Sequence, residues 1–255
     1  GEMSLSTRIA RRVILAEKER YPFKNYRHAR GGSVLFVGCN VASLYPRTVA
    51  AVRGIFEERL GAGCVFDCCG SPLQLEGFDA RALRVRDGVV GRLRARGVRE
   101  VIALCPNCAS MFSDVPDLRV TSVYAKLREL GVGRVLDPDG AVFVPCPDRA
   151  QRTWLADVLA CFGGAPPVLD RAPCCGLGRG SLQDPDRSRR MARRCLEQAR
   201  AAADGPLYVY CASCAGQFAS CGEAGVRYVL AELLGTGERP DVSSSLANRA
   251  RSTFL

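Results

Sequence analysis

The sequence predicts an α/β protein of two tandem lobes, each a small parallel sheet with helices, related by an internal repeat. Three observations lead there. First, a five-cysteine pattern is written twice, as Cys39, Cys68-Cys69, Cys105 and Cys108, then as Cys146, Cys174-Cys175, Cys211 and Cys214. The gaps are 28, 35 and 2 residues in the first copy and 27, 35 and 2 in the second. Second, short β-branched or aromatic runs alternate with helical patterns, as the crossovers of a parallel sheet require. Third, 255 residues lie near the limit of a single hydrophobic core, so a repeat of about 100 residues points to two lobes.

Taken in order, Leu5, Ile9, Val13 and Ala16 recur at helical spacing and predict a basic amphipathic helix within residues 1–29. The first lobe, residues 30–137, has strand-like runs at Val34–Val37, Val65–Phe66 and Val101–Leu104. Between the first two, Val49, Val52, Phe56 and Leu60 share one helical face. The second lobe, residues 138–238, has runs at Val142–Val144, Val168–Leu169 and Leu207–Tyr210. Leu155, Val158, Leu159 and Phe162 form one of its helical faces, and Met191, Cys195, Ala199 and Ala202 another. Val123, Leu127 and Leu130 before Gly131 echo Val229, Leu233 and Leu234 before Gly235, a closing helix in each copy. Residues 239–255, with Ser243-Ser244-Ser245, read as a mobile tail. The lobes are Rossmann-like, and each of the six runs is followed within five residues by a motif cysteine. Sites in open parallel sheets form at the carboxyl ends of strands, so five sulfurs should meet at one edge of each lobe.

Composition narrows the chemistry. No apolar run approaches the roughly 20 residues of a membrane helix, and the start lacks the order of a secretory signal. The expected setting is therefore cytoplasmic, where fourteen cysteines serve as reduced ligands and not as disulfide staples. The charge of +10 comes mostly from arginine, crowded at Arg81, Arg84, Arg86, Arg92, Arg94 and Arg96, and again at Arg187, Arg189, Arg190, Arg193 and Arg194. Such faces are solvated surface or an attraction for an acidic partner. No nucleic-acid motif accompanies them.

A structural zinc ion takes four ligands, usually as two closely spaced pairs, and only Cys105/Cys108 and Cys211/Cys214 have that spacing. Adjacent side chains such as Cys68 and Cys69 diverge in extended chain and suit an object with several metal atoms. An iron–sulfur cluster is such an object. Gly70 and Gly176 would let the backbone approach closely and aim N–H groups at sulfur. Outside the motif, Cys195 reads as a buried thiol and Cys64 as a residue that could flank the first site, while His28, the only histidine, leaves no material for a Cys-His or Ser-His-Asp site.

Cys68-Cys69-Gly70 with Cys105-Pro106-Asn107-Cys108, and Cys174-Cys175-Gly176 with Cys211-Ala212-Ser213-Cys214, resemble the cysteine-rich CCG domain. Two tandem copies with little else resemble the CCG-domain subunit of the heterodisulfide reductase family. The resemblance implies two noncubane [4Fe-4S] clusters and cleavage of a small disulfide between them. Cys39, Cys68, Cys69, Cys105 and Cys108 would hold one cluster, and Cys146, Cys174, Cys175, Cys211 and Cys214 the other. In both lobes the gap from the first cysteine to the pair is shorter than the family's, which tightens a loop beside the site. With no dinucleotide fingerprint and no ferredoxin-type motif, electrons would enter from a flavoprotein or ferredoxin-like subunit. Two further readings stand beside this one: an electron-transfer subunit of a 2-hydroxy acid or similar dehydrogenase complex, and an assembly module holding zinc.

Overall fold

Ser4 accepts a hydrogen bond from the Thr7 N–H (3.2 Å) and so caps the first helix, α1, Leu5–Arg20. The computed structural model describes residues 4–178 and 180–254, so the first three residues of the predicted N-terminal segment lie outside it. The first lobe then runs β1 (Ser33–Phe36), α2 (Cys39–Leu44), α3 (Pro46–Leu60), β2 (Gly63–Val65), α4 (Ser71–Leu75) and α5 (Asp79–Arg94). It closes with β3 (Glu100–Ala103), α6 (Pro106–Phe112), β4 (Arg119–Ser122) and α7 (Val123–Glu129). The second lobe runs β5 (Ala141–Phe143), a 3-10 turn at Cys146–Asp148, α8 (Thr153–Leu159), α9 (Pro185–Ala202) and β6 (Leu207–Val209). It closes with α10 (Ala212–Ser220), β7 (Val226–Tyr228) and α11 (Val229–Leu233), and α12 (Ser245–Ser252) follows.

Both sheets are wholly parallel, in the orders β2-β1-β3-β4 and β5-β6-β7. The strands β1, β3, β5 and β6 are almost wholly buried, which is why they read as continuous apolar runs and not as alternating ones. The edge strands β4 and β7 escape the sequence reading, because Arg119-Val-Thr-Ser and Val226-Arg-Tyr are short and mixed in polarity. The run Val168–Leu169 shrinks to a single parallel bridge between Val168 and Val142. Pro166 and Pro167 stand immediately before it and have no N–H to extend a ladder.

The segments that flank the lobes both pack on them, the N-terminal one as the expected helix and the C-terminal one against expectation. Helix α1 forms, but Leu5, Ile9 and Val13 are 66%, 54% and 63% exposed, and the helix packs through Leu15 and Lys18 instead. Its inward side is set by ionic and cation–π contacts: Arg11 pairs with Glu76 at 3.3 Å and lies over the Phe78 ring, and Glu19 pairs with Arg81 at 2.6 Å. Residues 239–255, read as a mobile tail, contain α12, which lies against α2 with Asn248 and Ser252 buried. Asn248 donates to the Ser43 carbonyl at 3.0 Å and Asn25 donates to that of Ser252 at 3.1 Å.

The lobes meet along a polar and aromatic seam. Tyr45 stacks on Tyr228 with centroids 4.3 Å apart, and Tyr228 donates to the Leu104 carbonyl at 3.2 Å. Glu238, at the end of the second lobe, accepts from the Thr48 N–H (2.7 Å) and the Arg47 N–H (3.0 Å) at the start of α3. Its carboxylate thereby satisfies helix donors that have no intrahelical partner. No described helix is long and apolar enough to cross a membrane.

Candidate metal centre in the inter-lobe cleft

All the motif cysteines except Cys174 and Cys175 stand where a strand hands over to a helical turn; that pair lies in the loop between the Val168 bridge and α9. Gly38, with φ +74°, turns the chain from β1 into α2, whose first residue is Cys39. A Cβ at Gly38 would lie 2.9 Å from Cys108 Sγ, so only glycine lets that sulfur approach. Cys105 and Cys211 are the N-caps of α6 and α10, and Cys108 and Cys214 lie in the first turns of those helices. Cys146 opens the 3-10 turn after β5.

The glycines after the cysteine pairs act differently from the sequence reading. Gly70 (φ +93°) and Gly176 (φ +99°) press against helix backbone: an added Cβ would meet the Ala82 carbonyl at 2.5 Å and the Ser188 carbonyl at 2.2 Å. Each contact falls on the long helix beyond its own cysteine pair, α5 (after the short α4) in the first lobe and α9 in the second. Of these two glycines, Gly176 aims its N–H at sulfur, at Cys174 Sγ, 3.4 Å away.

The corners bring sulfurs of both lobes into one cleft of about 1050 Å³, part of it open to solvent. Cys39, Cys69, Cys105 and Cys108 line it from the first lobe, and Cys146, Cys174, Cys175 and Cys214 from the second. Cys68 and Cys211 lie behind them, fully buried. Within hydrogen-bonding reach of one another, sulfurs run from Cys69 through Cys108, Cys105, Cys211, Cys214, Cys175 and Cys174 to Cys146. Cys39 and Cys68 form a separate contact, packed with Tyr21 and Phe23. Asn107 reaches across the seam and donates to Cys211 Sγ at 3.4 Å, and Asn40 donates to Ser213 Oγ at 2.6 Å.

Sulfurs this close share protons. The Cys68 thiol donates to Cys39 and, against burial, brings it down to about 7. Donation from Cys146 and Cys175 brings Cys174 down to about 2, and donation from Cys105 and Cys214 holds Cys211 well below the usual thiol range. The donors move the other way: Cys68 goes up through its bond to Cys39, Cys146 through its bond to Cys174, and Cys214 through its bonds to Cys175 and Cys211. At Cys105 the pull of Cys108 is outweighed by Cys211 and burial, which push it up to about 12.

Several supporting residues escape a sequence reading. Buried Asp67 accepts from the Cys68 N–H (2.7 Å), the Tyr26 hydroxyl (2.6 Å) and Arg92 (2.9 Å), fixing the first cysteine pair. Buried Asp148 accepts from the Leu155 N–H and the Tyr210 hydroxyl, both at 2.7 Å, fixing the turn at Cys146. Lys18, 7% exposed, is a cation in the cleft wall whose charge lowers Cys39. Arg149 donates to the Val144 and Pro173 carbonyls at 3.2 and 3.0 Å, and its charge lowers Cys174. Asn107 and Ser213 do carry a signal, since they occupy the same place in the two C-x-x-C segments.

The residues outside the motif stay outside the cleft. Burial pushes Cys64 up to about 12, and Cys195 is fully buried with its thiol on the Pro173 carbonyl at 2.9 Å. His28 is half-buried and does not line the cleft.

The profile of the cysteine-rich CCG domain matches residues 33–113 and 141–219, once in each lobe. The chain belongs to the CCG-domain family. Family membership is consistent with iron–sulfur electron transfer, and in this CCG protein the doubled cysteine motif occupies the facing edges of both lobes. No curated protein matches the chain. Among solved structures, an aspartate racemase from Picrophilus torridus is similar at 9% identity and a TM-score of 0.41, over 86% of this chain and 100% of the racemase chain. That likeness is too distant to bear on the chemistry.

The donor set suits a multi-iron cluster. It is all thiol, and eight of the ten motif cysteines line one open cleft. Among the described residues, no three or more histidines, cysteines or carboxylates are already drawn together around a point where a metal ion could sit.

Proposed function

We infer that this CCG protein is an iron–sulfur redox subunit of the heterodisulfide reductase type, reducing a disulfide in the cleft between its lobes. One observation carries the reading: both sets of motif cysteines open on the same cleft. Cys39, Cys68, Cys69, Cys105 and Cys108 would hold one cluster, and Cys146, Cys174, Cys175, Cys211 and Cys214 the other, each noncubane [4Fe-4S]. When bound, the two clusters would supply one electron each. Cleaving a disulfide takes two electrons and two protons and yields two thiols, so a duplicated site matches the stoichiometry.

The chain's own part is to hold the substrate dry and oriented. Ile14, Leu75, Leu177 and Leu182 make the walls apolar, which favours a disulfide with apolar flanks. Asn40 and Asn107 bind across the seam and keep the two cysteine sets in register.

A relay role, passing electrons to a dehydrogenase subunit, has one observation in its favour: Cys146 is exposed, so the second site reaches the surface. The two roles separate in an anaerobic assay. Protein reduced with a viologen dye should reoxidise on adding apolar small disulfides and release two thiols per disulfide. Reduced protein that no disulfide reoxidises, but a quinone or dehydrogenase does, supports the relay.

A further inference from the structure

The two sites are not equally accessible. Helix α1 and the loop after it cover the first: Ile14 and Lys18 roof the cleft, and Tyr21 and Phe23 pack on Cys39 and Cys68. Among the described residues nothing equivalent covers the second, where Cys146 is exposed and Cys174 half-buried. A side groove leads to these two sulfurs, and Arg187 and Met191 of α9 line it.

The arginines of the two lobes also differ. On α5, Arg81 pairs with Glu19, Arg86 with Asp114 and Arg92 with Asp67, so that group serves the fold. On α9, Arg187, Arg190, Arg193 and Arg194 are exposed and make no ion pair among the described residues; Arg189 alone of the cluster pairs, with Asp186. Arg187, Arg190 and Arg194 follow helical spacing and form a stripe that begins at the groove. Unpaired guanidinium groups beside the more open site have no structural work to explain them.

We propose that the α9 arginine stripe is the docking surface for an acidic, low-potential electron-donor protein, and that electrons enter through the second lobe. The inference rests on the cluster reading above. In each encounter the donor is oxidised by one electron and the second site gains it. Opposite charge steers such an encounter and is screened by salt over roughly 10 Å at 0.1 M.

The test compares two double variants with the same change in net charge. Arg190→Glu with Arg194→Glu reverses the stripe; Arg8→Glu with Arg12→Glu reverses exposed arginines on α1, over the covered site. The probe is oxidised, acidic plant-type ferredoxin. Its binding is followed by calorimetry at low and high salt, and its reduced form is used to reduce the clusters. Wild type should bind it at low salt and release it at high salt. The α9 variant should weaken binding at least tenfold and slow reduction by ferredoxin, with reduction by a viologen dye unchanged. The α1 variant should behave as wild type. Equal weakening in both variants, weakening by the α1 pair alone, or no salt-sensitive binding to wild type would overturn the proposal. Because calorimetry needs no cluster, it reads the surface even in a preparation without iron or sulfide, an outcome that would instead sink the cluster reading.

Discussion

At the scale of single residues, the cleft is a set of thiols whose protons are unevenly shared. Cys174 accepts from Cys146 and Cys175 and is half-exposed, so it is both anionic and reachable. Cys161 is also half-exposed, but burial pushes it up to about 11. Alkylation follows the thiolate fraction. In iron-free protein, iodoacetamide should therefore modify Cys174 at a rate that is flat across roughly pH 5 to 8. Over the same range Cys161 should speed up about tenfold per pH unit, because it lies below its raised titration point throughout. Peptide mass spectrometry at several pH values checks both, and a Cys174 rate that climbs in parallel with Cys161 would show that the proton sharing is absent. All ten motif cysteines were legible in the sequence because the spacing repeats. Asp67 and Asp148, which orient them, were not: an acid next to a cysteine carries no sign of burial until the fold brings Tyr26 and Tyr210 to it.

At the scale of elements, the position of each cysteine pair depends on a glycine wedged against the backbone of a long helix, α5 in the first lobe and α9 in the second. Alanine at Gly176 would meet two obstacles, a φ of +99° and the Ser188 carbonyl. The backbone conformation alone costs of order 1–3 kcal/mol, and the carbonyl must also move. Gly176→Ala should therefore destabilise the iron-free protein by more than Gly77→Ala, where φ is +85° but nothing lies within 4 Å. Gly91→Ala, inside α5 with open space around it and an ordinary φ, should be neutral or stabilising by up to about 1 kcal/mol. Urea unfolding of the three variants gives the ranking. Equal losses at Gly176 and Gly77 would mean that the contact with α9 is unimportant. The central strands were readable from Val34–Val37 or Leu207–Tyr210 because buried parallel strands are uniformly apolar. The edge strands β4 and β7 were not, and α1 presents its apolar stripe outward because its polar side finds ion-pair partners, Arg11 with Glu76 and Glu19 with Arg81.

At the scale of the whole molecule, the repeat in the sequence is a repeat in space, yet the halves are not equivalent. The first site lies under α1, and the second opens to solvent beside α9. The doubling was visible in the spacing, whereas the asymmetry arises from segments outside the repeat. Their packing rests on a few long-range contacts, such as Arg249 with Glu17 and Asn25 with Ser252. If each ligand set is confined to its own lobe, as proposed above, each site should be separately removable.

The most direct test is therefore an iron and acid-labile sulfide count on anaerobically purified wild type, Cys69→Ser and Cys175→Ser. Wild type should carry two clusters, about eight iron and eight sulfide for two [4Fe-4S] units, and each variant should lose one site while keeping the other. Stoichiometric zinc without sulfide in wild type, or loss of all iron from a folded single variant, would contradict two independent iron–sulfur sites.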